Sequence, residues 1–214
     1  MSKIIAYSLF IMDDCHPYDI KLYKTGVMAN YIKMKELAPD FKMVLYHDKT
    51  VDISDFHPDI ELIKIKHNRH NTFYMTHARF LAFSYPDAEL VLIRDLDNML
   101  SEEDFRVISR WMKRSKTCFH RYVLKGYGRN LVASGIAFRP QLFSGYLFTE
   151  HDFKNLKGLF EYGCDEEYLD NYIYPRIQES LTTTEVIPGK YTYRGYLKCS
   201  DNVFPMRSIQ PFDQ

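Results

Sequence analysis

The run at residues 89–100, Glu-Leu-Val-Leu-Ile-Arg-Asp-Leu-Asp-Asn-Met-Leu, constrains this chain more than any other stretch. Leu90 to Ile93 is apolar with no polar break, the pattern of a strand buried on both faces. It stops at Arg94-Asp95-Leu96-Asp97-Asn98. Two carboxylates one residue apart, at the carboxyl end of a buried strand, lie where open α/β sheets bind their ligands. Hard divalent cations take carboxylate oxygens, and Mg2+ or Mn2+ is held by one or two carboxylates plus substrate phosphates. Asp95 and Asp97 are therefore candidates for a metal–diphosphate site, although acidic pairs after strands also occur in plain turns. Ser101-Glu102-Glu103-Asp104 has the form of a helix start, with Ser101 as N-cap and Asp104 closing a loose capping box.

The rest of the chain alternates strands and helices around this run. Strands are expected at 3–10, 41–46 and 60–65, and helices at 18–37 (with Leu22, Gly26, Met28, Ile32 and Met34 on its apolar side) and 71–83. Such alternation means βαβ units and a mostly parallel sheet, with the carboxyl ends of the first, second and fourth strands along one edge. Ser8, Asp48, Asp95 and Asp97 would then face one crevice, a nucleotide site in outline. Beyond it, 105–113 reads as a helix containing Trp111, 117–123 as a strand, 125–130 as a loop, and 131–138 as a segment where Gly135 would let a ligand approach the backbone. A helix is expected over 153–160, and another from Gly163 to Tyr174, ended or kinked by Pro175. The tail from Thr182 is poorly patterned, with a turn at Pro188-Gly189.

Composition narrows the class. The 214 residues are enough for one domain with a full core, and 28 basic against 28 acidic side chains give no net charge. That balance gives no reason to expect bulk nucleic-acid binding. No stretch approaches the roughly 18 apolar residues of a membrane span, and the N-terminus lacks a signal-peptide pattern. Cys15, Cys118, Cys164 and Cys199 are too widely spaced for a zinc site or a disulfide framework, which fits a reducing, cytoplasmic setting. His67, His70 and His77 read as loop or helix-surface residues. The 17 tyrosines and 15 phenylalanines suit both cores and sugar-stacking sites.

The order of short motifs carries a resemblance. It comprises Tyr7-Ser8-Leu9-Phe10, Tyr23-x-x-Gly26-x-x-x-Asn30, Pro39-Asp40-Phe41, Tyr46-His47-Asp48, Arg79-Phe80-Leu81 and Arg94-Asp95-x-Asp97-Asn98. Trp111, Gly135, Gly163-x-Asp165-Glu166-x-x-Leu169 and Ile173-Tyr174-Pro175 complete it. The chain, to about Pro205, resembles the small GT-A-type, nucleotide-sugar-dependent glycosyltransferases of bacterial polysaccharide loci and large algal DNA viruses. The resemblance implies a GT-A-like Rossmann-type α/β sandwich with a mostly parallel central sheet flanked by helices. It also implies a single glycosyltransferase domain over 1–214, with 1–100 as the nucleotide-sugar-binding half and 101–214 as the acceptor-side half.

By that resemblance the donor is a UDP-sugar, the acceptor a glycan or other hydroxyl compound, and the cofactor Mn2+ or Mg2+. Ser8 and Asp48 take the nucleotide base, Asp95 the ribose or sugar as well as metal, and Asp97 the metal. Arg79 lies near the diphosphate, and Asp165 or Glu166 is the acidic group near the transferred sugar and acceptor. A viral relative would work in the host cytoplasm; oligomeric state is left open. Two departures stand out. Tyr122-Val123-Leu124 follows Arg121 where relatives carry histidines, and Thr182-Thr183-Thr184 replaces His-Asp-Ser, leaving a third metal ligand unassigned, with Asp201 as one option.

Each residue also admits a plainer role. Asp48 could be a turn or cap residue, Arg79 a surface arginine, Asp165 a helix N-cap, Gly135 a relief of crowding in a strand, and Trp111 core. Two other functions compete. One is a non-catalytic nucleotide-sugar-binding module. The other is a haloacid-dehalogenase-like phosphatase, whose nucleophile strand the run into Asp95-Leu96-Asp97 superficially resembles; Met99 stands where that motif carries Thr or Val.

Overall fold

The computed structural model describes residues 1–69, 72–124 and 128–186, together with short backbone segments at 195–196, 198–199 and 202–203. Strands β1 (Ser2–Leu9), β2 (Phe41–His47), β3 (Glu61–Lys64) and β4 (Ala88–Ile93) are mutually parallel neighbours in the order β3-β2-β1-β4. After the two-residue β5 (Asn98–Met99), strands β6 (Phe119–Leu124), β7 (Ile136–Phe138) and β8 (Leu181–Val186) extend the sheet as β4-β7-β6-β8. Only β7 runs antiparallel to its neighbours, so the seven-stranded sheet is mostly parallel, as expected.

Alternation along β1 explains the two layers. Ile4 and Ala6 face one apolar cluster, while Ile5, Tyr7 and Leu9 face the other. The second face is covered by helix α1 (Pro17–Leu37) and helix α2 (Glu102–Arg114), through Val27, Tyr31, Met34, Ile108 and Trp111. In α1 the buried stripe is Val27, Asn30, Tyr31 and Met34, whereas Ile32, expected on that side, is 62% exposed. Trp111 is core, with its indole N–H donating to Thr117 at 2.9 Å.

The first face is covered by a segment that the sequence pattern misassigns. Residues Phe73–Ser84 form a 3-10 helix, where an α-helix is the expectation. With three residues per turn, positions three apart eclipse. Tyr74, His77, Phe80 and Phe83 therefore form one buried ridge, which packs on Phe153, Phe160, Phe148 and Tyr168. His77 belongs to that core and is not on the surface. Phe73, Thr76 and Arg79 fall on a second ridge.

Three later expectations also change. Helix α3 (Glu150–Lys154) is set early by a complete Thr149/Asp152 capping box, and Gly158, at φ 114°, lies in the irregular remainder of the helix expected over 153–160. Helix α4 (Cys164–Tyr168) runs through a π turn at Leu169–Ile173 into helix α5 (Tyr174–Ile177), so Pro175 does not end it. A proline ring collides with the carbonyl four residues back, and the wider π turn relieves that collision. Residues 182–186 form part of β8, because three threonines suit an edge strand; the Thr182 and Thr184 hydroxyls bond to Thr117 and His120 on one face, and Thr183 bonds to Arg121 on the exposed one. Pro188-Gly189 and His70 lie outside the described residues. No described helix is long and apolar enough to cross a membrane.

The polar core of the second face is built on Arg94. Its Nε and Nη2 donate to both oxygens of Asp104 at 2.8 Å, and Nη1 donates to the carbonyls of Ile93 and Ile136 at 2.7 and 2.9 Å. Tyr122 donates to the same carboxylate at 2.8 Å. Ser101 caps α2 by accepting the Asp104 N–H at 3.2 Å, and the Asp104 carboxylate meets Arg94. Nearby His120 is buried and its Nε2 meets the Thr184 hydroxyl at 2.9 Å. Burial, with the Arg94 charge, pushes its pKa down to about 4.

An unfolded histidine titrates near 6.5, so between pH 6.5 and 4 the unfolded chain takes up a proton that the folded one refuses. Stability from this group is complete above pH ~6.5 and is lost as pH falls toward 4, by on the order of 3 kcal/mol. Urea titrations across that range should show the decline, and His120→Asn should flatten it; an unchanged slope would refute the assignment.

Candidate functional site

The carboxyl ends of β2, β1 and β4 lie side by side and deliver the predicted residues to one edge of the sheet. Ser8, in β1, donates to the Thr76 carbonyl at 3.5 Å. Asp48 follows β2 and is buried. Its Oδ1 accepts the Thr50 N–H at 2.9 Å and hydroxyl at 2.5 Å, and its Oδ2 meets His67 Nε2 at 3.0 Å. The turn role expected as an alternative for Asp48 is thus present. His67, whose side chain is 5% exposed, is its partner and not a surface residue. A cavity of about 260 Å³, lined by Lys49, Lys64, Ile65 and Lys66, opens beside this pair.

Asp95 and Asp97 follow β4 as expected, and Arg79 reaches them from the 3-10 helix. Arg79 Nη1 donates to Asp95 Oδ1, while Nη2 donates to Asp165 Oδ2 at 2.6 Å. One guanidinium therefore ties the acidic pair after β4 to the carboxylate at the start of α4. Burial opposes the charge on Arg79, but Asp95, Asp165 and Glu166 outweigh it and hold the pKa above its ordinary value. The surface-arginine alternative is excluded, since the residue is 7% exposed. Asp165 is the second residue of its helix, not its cap; Gly163, at φ 84°, occupies the cap position. Asp165 Oδ1 accepts the Glu166 N–H at 3.0 Å, and Glu166 Oε1 lies 3.5 Å from the Ala133 amide.

Two tyrosines that sequence reasoning did not single out for a role border these acids. Burial raises the Tyr23 pKa, and the charges of Asp97 and Asp95 add to it; that of Tyr162 is raised by partial desolvation of its hydroxyl and then by Asp95, Glu166, Asp97 and Asp165. The Tyr162 ring is exposed and sits edge-on to Phe73, at 5.7 Å. Burial and Asp165 push the Cys164 thiol up to about 11, away from the thiolate form that a nucleophile uses. His77 is held below its usual range by burial, against the pull of Asp165.

Gly135 has a packing reason for lacking a side chain. A Cβ there would meet the Tyr122 Cβ at 3.3 Å, so the neighbour crowding it is the protein itself. Thr182, Thr183 and Thr184 bond within the sheet, and Asp201 lies outside the described residues. Among the described residues no group of three or more His, Cys, Asp or Glu side chains could hold a metal. Asp95 and Asp97 nonetheless fit a hard cation of the kind that takes two carboxylates and completes its shell with phosphate and water.

The fold is a GT-A-like, Rossmann-type α/β sandwich. Solved structures of similar fold include Staphylococcus aureus TarS 1–349, with 11% identity over 86% of this chain and a TM-score of 0.55. This chain spans 58% of the length of that fragment. Another is 4-diphosphocytidyl-2C-methyl-D-erythritol synthase from Anaerococcus prevotii, with 12% identity, 93% and 94% of the two chains covered, and a TM-score of 0.53. A third is the mannosyltransferase PcManGT from Pyrobaculum calidifontis in complex with GDP-Man and Mn2+, with 12% identity, 86% and 55% covered, and a TM-score of 0.51. No family model and no curated protein matches the sequence. At these identities the likeness is one of fold.

Replacing Arg79 with Met would leave Asp95 and Asp165 without their shared cation. The expected cost is about 3 kcal/mol at pH 7 by urea denaturation. A variant as stable as the wild type would show that the bridge contributes nothing.

Proposed function

We propose that this protein is a metal-dependent glycosyltransferase that moves a sugar from a nucleoside-diphosphate donor, a UDP-sugar, to a hydroxyl of a glycan acceptor. The observation that carries the reading is the Asp95-x-Asp97 pair at the carboxyl end of β4, joined through Arg79 to Asp165. The fold likeness supports it: one similar structure is TarS 1–349 in complex with UDP, and another is a mannosyltransferase with GDP-Man and Mn2+.

In this reading Asp95 and Asp97 would hold Mn2+ or Mg2+, which when bound supplies charge stabilisation at the departing diphosphate. The remaining work falls to the protein's own side chains. Ser8 and the pocket beside Asp48 would receive the nucleoside, with Asp48 fixing the turn that shapes it. Arg79 presents a guanidinium fork suited to phosphate oxygens, and negative charge grows there as the donor bond breaks. Asp165 takes the acceptor hydroxyl proton, or stabilises the cationic sugar, once Arg79 exchanges it for phosphate. Glu166 is the second carboxylate available for either task. In this division residues 1–100 form the donor half and 101–214 the acceptor half.

One observation keeps a second reading: both oxygens of Asp165 are engaged by the protein. A module that binds nucleotide-sugars without turnover would tolerate that arrangement.

The test is thermal melting with UDP, GDP and dTDP, each with and without Mn2+, on wild type and Asp97→Ala. Ligand at about 100 times its dissociation constant adds roughly 2.7 kcal/mol. A Mn2+-dependent rise with one nucleotide, lost in Asp97→Ala, is expected. No rise with any of them would overturn the proposal, and a rise without sugar transfer or donor hydrolysis would favour the binding module.

A further inference from the structure

The loop carrying Asp95 and Asp97 is held from below by a residue remote in sequence. Asn30, in α1, has no exposed surface, and every polar atom of its side chain is used. Its Nδ2 donates to the Leu96 carbonyl at 3.2 Å and to the Gly26 carbonyl one turn back at 2.9 Å. Its Oδ1 accepts the Leu100 N–H at 2.9 Å. Leu96 is the residue between the two aspartates, so the amide grips the main chain at the centre of the motif and again four residues on. The Leu96 and Leu100 side chains are themselves buried against the α1–α2 face of the sheet. The Arg94–Asp104 fork closes the same loop at its two ends.

A buried carboxamide among apolar side chains is costly unless its bonds are made, and here those bonds run to the backbone of one functional loop. An apolar residue would fill the space in α1 without fixing that loop. We propose that Asn30 is a positioning residue for Asp95 and Asp97: its carboxamide sets the path of the main chain between them, and hence the spacing of the two carboxylates toward a cation and a nucleoside diphosphate. The inference rests on the function proposed above. Groups that orient metal ligands from behind typically govern metal affinity by about 10–100-fold.

The decisive substitution is Asn30→Asp, which keeps the size and the acceptor for Leu100 but turns a donor into an oxygen facing two carbonyls. Asn30→Ser, smaller and uncharged, is the second variant, and Phe138→Leu, in β7 and the opposite apolar cluster, is the control for stability loss alone. Binding is measured by titration calorimetry with whichever of UDP, GDP or dTDP the wild type takes up with Mn2+, at a temperature where circular dichroism shows each variant folded. Both Asn30 variants should bind about tenfold or more weakly and need more Mn2+ for half-saturation. The Phe138→Leu control should bind as the wild type does. Asn30 variants that lose thermal stability yet bind normally would overturn the inference while leaving the proposed function intact, and failure of both to fold would assign Asn30 to stability alone. Absence of binding by the wild type would remove the proposed function and this inference with it.

Discussion

The structure depends on one buried ion pair. Arg94 is charged, 4% exposed, and placed at the end of the central strand, where an isolated guanidinium would be prohibitively costly. The cost is met because each guanidinium nitrogen has a partner: Nε and Nη2 on the Asp104 carboxylate, and Nη1 on the carbonyls of Ile93 and Ile136. These bonds join three elements, β4, β7 and α2, at the point where the sheet changes from parallel to antiparallel. They also bring residue 94 against residue 104, so that the intervening acidic loop leaves the sheet and returns in one defined path.

The site above it is a second problem of the same kind with a different solution. Asp95, Asp165 and Glu166 gather around the Arg79 guanidinium, with Asp97 two residues on from Asp95. An edge with excess negative charge is poised to accept a further cation. Arg79 contributes from a 3-10 helix, whose threefold ridges put it in line with Phe73 and Thr76 while the aromatic ridge beside it anchors the segment in the core.

Much of this was legible in the residues. The unbroken apolar run before Asp95 marked a doubly covered strand, and its position in an alternating series marked a mostly parallel sheet. The aspartates at its end marked the edge of the sheet where Arg79 and Asp165 also meet. The 3-10 helix was not legible, because an apolar stretch rich in Phe, Met and Ala matches a period of 3.6 about as well as one of 3.0. Ile32 misled for the opposite reason, since an apolar residue next to the buried stripe carries no sign of which side faces the sheet. Asn30, Asp104 and His67 look like ordinary polar residues in sequence; only their burial and their partners across the fold give them meaning.

By itself the sequence determined the layered α/β class, the central strand, and the chemistry available at its carboxyl end, because these follow from local hydrophobic pattern and from the donor types of neighbouring residues. Tertiary structure alone decided which residues meet. Arg79 reaches Asp95 across 16 positions of chain and Asp165 across 86, and Asn30 reaches the acidic loop across 66. Such pairings are set by how helices dock on the two faces of a twisted sheet, and that docking minimises exposed apolar surface over the whole chain at once, which no local window of sequence contains.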